Sequence, residues 1–190
     1  MKTKEVLELA CVFLGKEELL GSQYFSNNEH YELTDSEQKE LNILNRCLTL
    51  ITNEISTDYL FINATKKVIA NAGEISLEDI DSSVYEIIKI TDLYKKPLKF
   101  KLYNNKVYVD ASEVIVKYRK YAMRPSLDGE CEGFSNRISA RVLAYGVAME
   151  YSFISSLYDD ATIWENRYKN ALLVLARNKA NMVMPAKEWK

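Results

Sequence analysis

The stretch that most constrains this fold is ISARVLAYGVAMEYSFISSLYDDATIWENRYKNALLVLAR, residues 138–177. From Val142 to Met149 it holds no charged residue, and Val142, Tyr145, Met149 and Phe153 recur at helical spacing. A helix apolar on every side has to be buried, so other elements must wrap it. Leu157, Tyr158, Asp159 and Asp160 predict a break, with Asp159 or Asp160 capping the next helix. That helix carries Ile163, Trp164, Tyr168, Ala171, Leu172 and Leu175 on one stripe, with Glu165, Asn166, Lys169 and Asn170 largely off it. The two helices are expected to fold back on each other. A turn near residues 158–160 then sets Glu150 opposite Arg167, which predicts an ion pair. A catalytic acid is the alternative for Glu150, but no second carboxylate or histidine stands at a readable spacing from it.

Ahead of this pair the helical period appears twice more. Val6, Leu9, Ala10 and Phe13 share a face of a short helix over residues 3–14, with Gly15 at the C-terminal cap. Residues 21–33 read as a polar, aromatic-spotted surface loop. Thr34 and Glu37 form a capping box, and the long helix after them carries Leu41, Leu44, Leu48, Ile51, Ile55, Tyr59 and Ile62 on one seam. Such a seam could pair with a partner helix, but it lasts only about three heptads, which favours packing within the chain.

After Gly73 the period changes. Residues 84–90, 98–103, 106–110 and 113–118 are short, β-branched and aromatic, with Asn104-Asn105 suited to a two-residue hairpin turn. They predict a small antiparallel meander with one wet face. The fold class is therefore α+β. A mainly helical bundle (N-terminal helix, long helix, C-terminal pair) makes a single domain over residues 1–177, with a β insertion at about 84–118 and a tail at 178–190.

The 190 residues carry a net charge of −2 and a pI near 5.6, which argues against a dedicated nucleic-acid binder. Three well-separated cysteines (Cys11, Cys47, Cys131) suggest buried reduced thiols, neither a disulfide framework nor a zinc site. The start of the chain does not read as a signal peptide, and no run approaches a membrane span. No phosphate-cradling glycine motif or nucleophile elbow is present, and no cofactor, metal or enzymatic activity is expected. His30 is the one histidine and is given no role.

Two further groups invite a functional reading. Lys95, Lys96, Lys99, Lys101 and Lys106 cluster on the predicted hairpin. They could meet DNA phosphate or an acidic partner surface, or form a solvated face that protects a sheet edge. The negative overall charge favours the latter. Met182, Met184 and Trp189 give the tail adaptable and anchoring contact residues, so it is either a docking segment or a loose end.

The run from Ile138 to Tyr151, followed by residues 161–168 (ATIWENRY), resembles the C-terminal helix pair of phage head-to-tail adaptor proteins. These are the tail tubular protein A family of short-tailed phages and kindred connectors. The layout is similar over most of the chain: short helix, long helix, β insertion, two closing helices. The resemblance implies a virion structural protein at the head–tail junction, assembled in the host cytoplasm. It implies a ring, commonly of twelve copies, that binds the portal protein, extends the DNA channel and receives the downstream tail or nozzle protein. DNA would pass without sequence-specific binding, and no membrane is involved. It also implies that the C-terminal tail docks on the portal or a neighbouring subunit. The alternative is a scaffolding or regulatory module pairing through the 41–62 helix.

Overall fold

The computed structural model describes residues 1–26, 32–131, 134 and 138–180. His30 and the tail residues Met182, Met184 and Trp189 lie outside the described residues. The chain is α+β and divides into two compact units, Met1–Glu54 with Arg124–Lys190, and Ile55–Met123. The insertion therefore begins well before residue 84.

The first unit is helical. Helix α1 (Thr3–Phe13) ends in the expected glycine cap. Gly15 takes φ +64°, its N–H reaches the Val12 carbonyl, and the Lys16 N–H reaches that of Cys11. A short α2 (Glu17–Leu20) follows. The loop after it is not wholly superficial, because Tyr24 is buried and donates to the Leu127 carbonyl at 2.7 Å. Helix α3 (Asp35–Glu54) starts at the predicted capping box. The Thr34 N–H donates to Glu37 Oε2 at 2.8 Å, and the Glu37 N–H donates to Thr34 Oγ1 at 3.3 Å. Leu41, Leu44, Leu48 and Ile51 are buried inside the unit, so the seam is spent on the chain's own core.

Two closing helices, α5 (Ala140–Ile154) and α6 (Tyr158–Ala180), complete this unit, while α4 (Leu77–Ile80) belongs to the insertion. Leu143, Ala144, Val147 and Ala148 of α5 are fully buried, as expected of a helix apolar all round. α3 comes close at Gly146, where a Cβ would lie 2.8 Å from Ile51 Cδ1 and Cγ2. The reversal sits earlier than the sequence suggests. Ser156 adopts φ +61°, the Leu157 N–H bonds the Ser152 carbonyl at 2.8 Å, and α6 is already helical at Tyr158. Asp159 and Asp160 are thus in the first turn of α6 and do not cap it. The buried stripe of α6 runs through Ala161, Tyr168 and Leu172, while Ile163 faces solvent. The helix also continues past Arg177 to Ala180, beyond the predicted end.

The second unit opens with a π-helical turn, Ile55–Tyr59. The long helix does not reach Ile62, where strand β1 (Ile62–Ile69) begins instead. The sequence does not signal this strand, because Lys66 interrupts the alternation of Ile62, Ala64 and Val68. Next come β2 (Glu74–Ser76), the one-turn α4 (Leu77–Ile80) and β3 (Val84–Thr91). The remaining strands are β4 (Phe100–Tyr103), β5 (Lys106–Val109) and β6 (Glu113–Lys120). They do not form one meander. Two three-stranded antiparallel sheets are present, ordered β1-β6-β3 and β2-β5-β4. The hairpin between β4 and β5 turns on Asn104 and Asn105, both at positive φ (46° and 60°). One core joins the two sheets: Val68, Ile90, Val114 and Val116 from the first, Ile75, Val107 and Val109 from the second.

Both ends of this unit meet at Ser56. Its hydroxyl oxygen accepts from the Ala122 N–H at 3.3 Å, and its carbonyl accepts from the Tyr85 hydroxyl at 3.1 Å.

Gly146→Ala is expected to destabilise the chain by about 1–2 kcal/mol. Ile51 is buried and has little room to retreat, which outweighs the gain of roughly 1 kcal/mol in helix propensity. Chemical denaturation of the full chain measures this, and an unchanged or higher midpoint contradicts the close approach.

Candidate interaction surfaces

In the helical unit, chemically distinctive side chains gather where α1, α3, α5 and α6 meet. Phe13 stacks on Tyr145 and on Trp164, with ring centroids 5.1 Å apart in each case, and Tyr145 lies 5.9 Å from Trp164. Arg141 sits 5.7 Å from the Tyr145 centroid and Arg167 sits 4.9 Å from that of Trp164. Beside the stack, Glu40 of α3 takes an ion pair from Lys16 and a 2.5 Å hydrogen bond from the Tyr151 hydroxyl. Lys16 also lies 4.2 Å from the centre of the Tyr151 ring. Burial works against both charges, yet the mutual hydrogen bonds prevail. The Lys16 ammonium is raised above its ordinary value, and the Glu40 carboxyl is held below its own. This triad ties the α1–α2 connection to α3 and α5.

The predicted Glu150–Arg167 pair does not form. Because the helix reversal falls before Tyr158, the register of α6 against α5 shifts, and Arg167 is left over Trp164. Glu150 is half-buried with no ion pair among the described residues. Burial alone pushes its carboxyl upward. Its charge adds to the burial that drives the Cys47 thiol up to about 12. Cys11, Cys47 and Cys131 are all free and buried.

The end of this unit where α5 turns into α6 is apolar and open to water. Phe153, Ile154, Leu157, Tyr158 and Ile163 are exposed there, and Leu173 and Val174 continue the exposure along α6. A small notch of about 270 Å³ lies beside them, lined by Phe13, Leu14, Tyr151, Ile163 and Trp164, with Asp160 among its polar residues.

In the insertion, the five predicted lysines are exposed but do not act as one group. Lys106 pairs with Glu74 across β5 and β2 at 2.9 Å. Lys99 and Lys101 line an open groove of about 1000 Å³ together with Leu98, Phe100, Tyr108 and Asp110. Lys95 and Lys96 stand on the turn between β3 and β4. That turn is fixed by Asp92, whose Oδ1 accepts from the Tyr94 N–H at 2.9 Å and the Lys96 N–H at 2.8 Å. Two backbone bonds, Lys95 N–H to Asp92 O and Asp92 N–H to Lys96 O, close it. The lysines are visible in the sequence but this turn is not, its only cue being Asp92 ahead of a Leu-Tyr-Lys-Lys run.

Among the described residues no group of three or more His, Cys, Asp or Glu is placed to hold a metal ion, and no helix is long and apolar enough to cross a membrane. No protein-family model matches the chain, and comparison with curated proteins returns no match.

Two carboxylates should respond to pH in opposite ways. The folded pKa of Glu150 is raised, so its ionisation opposes folding once the pH passes the unfolded value near 4.5. Glu150→Gln is therefore expected to raise Tm at neutral pH, with the gain vanishing below pH 4; a loss at neutral pH contradicts an unpaired carboxylate. Glu40 has a lowered folded pKa, so its contribution is present at neutral pH and is lost as the pH falls through the acid range below 4.5. Glu40→Gln should cost about 1–2 kcal/mol at pH 7, allowing for the solvent exposure of the pair. Denaturation at pH 7 and pH 3 checks both, and an undiminished Glu40→Gln penalty at pH 3 contradicts the ionic part of the triad.

Proposed function

We propose that the chain is a head-to-tail adaptor, a virion structural protein that acts by assembling into a closed ring beneath the portal. The ring, of about twelve copies as is usual in the resembled family, extends the DNA channel and offers the next tail protein its attachment surface. The observation that carries this reading is the open apolar surface where α5 turns into α6. Phe153, Ile154, Leu157, Tyr158 and Ile163 all face water there. Monomeric proteins seldom leave such surface uncovered, whereas a subunit that meets two neighbours and a portal requires it. The resemblance of residues 138–168 to the closing helix pair of adaptors adds to it, as does the order of helices around a β insertion. The acidic balance suits a channel that must release a polyanion. The rival reading, a module pairing through the 41–62 helix, is disfavoured by the burial of Leu41, Leu44, Leu48 and Ile51 in the chain's own core.

Native mass spectrometry and negative-stain microscopy of the full chain test the proposal, with and without the portal protein encoded in the same genome. The expected result is a ring with rotational symmetry seated on the portal. A species that stays monomeric at micromolar concentration in both samples would falsify it.

A further inference from the structure

Two exposed tetrads of this chain repeat the same apolar pair and reverse the charge that follows it. Residues 93–96 read Leu-Tyr-Lys-Lys, on the β3–β4 turn of the insertion. Residues 157–160 read Leu-Tyr-Asp-Asp, at the start of α6 in the helical unit. Their apolar members stand in water: Leu93 is 47% exposed and Tyr94 91%, Leu157 49% and Tyr158 64%. Lys95, Lys96, Asp159 and Asp160 are exposed too, and none forms an ion pair among the described residues.

Each tetrad is also stiff. Asp92 pins the first through its carboxylate and backbone. The second is held by the Ala161 N–H bond to the Leu157 carbonyl and the Thr162 hydroxyl bond to the Tyr158 carbonyl. Preordered groups lose little freedom when they are covered, so such surfaces are cheap to bury. Beside Leu157, the notch walled by Phe13, Leu14, Tyr151, Ile163 and Trp164 offers room for a single aromatic side chain. The one cation in its wall, Lys16, is already engaged by Glu40.

We infer that residues 93–96 of one copy seat against residues 157–160 of a second copy, with Tyr94 entering the notch and Lys95 and Lys96 facing Asp159 and Asp160. The inference rests on the ring reading and names the contact that builds the ring. The two surfaces differ, so the contact is heterologous. Each copy presents one tip and one socket, and assembly continues until rotation closes it. The aromatic and leucine side chains supply the affinity, while the charges select orientation and speed encounter.

The test uses full chains carrying reversed charge on one side only: Lys95→Asp with Lys96→Asp, or Asp159→Lys with Asp160→Lys. Sedimentation velocity is followed alone and with portal. Either variant alone should need at least tenfold more protein to assemble than the unaltered chain. Mixing the two in equal amounts should restore assembly, because alternating copies again match tip to socket. A third variant, Tyr94→Ala, leaves the fold untouched, since its side chain is almost wholly in water, and should weaken assembly by a similar factor. Assembly of either reversed variant or of Tyr94→Ala at the unaltered concentration overturns the contact, as does failure of the mixture to recover. If the tip instead served DNA phosphate, the lysine variant would lose DNA retention while assembling normally, which also overturns it. Rings that form regardless of these changes sink the contact and leave the adaptor reading standing. An unaltered chain that never assembles sinks both.

Discussion

The helical unit depends on how closely α3 can approach α5. Gly146 removes the side chain that would hold them apart, and Ile51 fills the space so created. Leu143, Ala144, Val147 and Ala148 then sit inside a shell made by the other helices of the unit. Close packing of small residues against a branched one gains dispersion contacts that a looser arrangement forfeits. At the edge of that centre Lys16, Glu40 and Tyr151 join α3 and α5 to the α1–α2 connection while still touching water. The insertion is built likewise, its two short sheets sharing a core of valines, isoleucines and Tyr118. What remains uncovered is the surface with which a neighbour could be met.

Much of this architecture was legible in the residues, and the reasons are local. The Thr34–Glu37 box and the Gly15 cap are reciprocal hydrogen-bond devices with few alternatives, and both form as the sequence implies. The Asn104-Asn105 turn is equally local, because two successive residues must accept positive φ. The seam is clear from its spacing as far as Ile55, which is buried in the π-helical turn that follows α3. What failed was information that depends on partners. Tyr59 and Ile62 continue a helical spacing, but the chain changes to strand because Ile62 pairs with Lys120, far away in sequence. The division into two sheets could not be read either, since β6 lies between β1 and β3, and nothing in its residues says which strands flank it.

The surfaces were less legible than the fold. The expected Glu150–Arg167 pair follows from a turn at the two aspartates, where a cap belongs. The chain turns instead at Ser156, a serine in a conformation that usually selects glycine, so the familiar signal was missing. A displacement of a few residues along a helix moves a side chain to another face, and Arg167 finds an aromatic ring in place of a carboxylate. The lysines of the insertion were visible as composition, but their separate roles come from Asp92 and Glu74, which the sequence does not single out. Tyr24 shows the reverse error, a ring in a polar stretch that turns inward to reach a carbonyl.

The meeting of the insertion's two ends at Ser56 has a consequence for ancestry. Chain enters this unit at Ile55 and leaves at Met123, and a single hydroxyl bonds the backbone beside the exit. A segment whose termini lie side by side can be replaced by a hairpin of a few residues, or exchanged for an unrelated module, without stretching its host. The geometry of its ends therefore allows the β unit to be exchanged as a cassette. Lineages sharing the helical frame would be free to carry a larger, smaller or missing version of it, and their divergence should concentrate there.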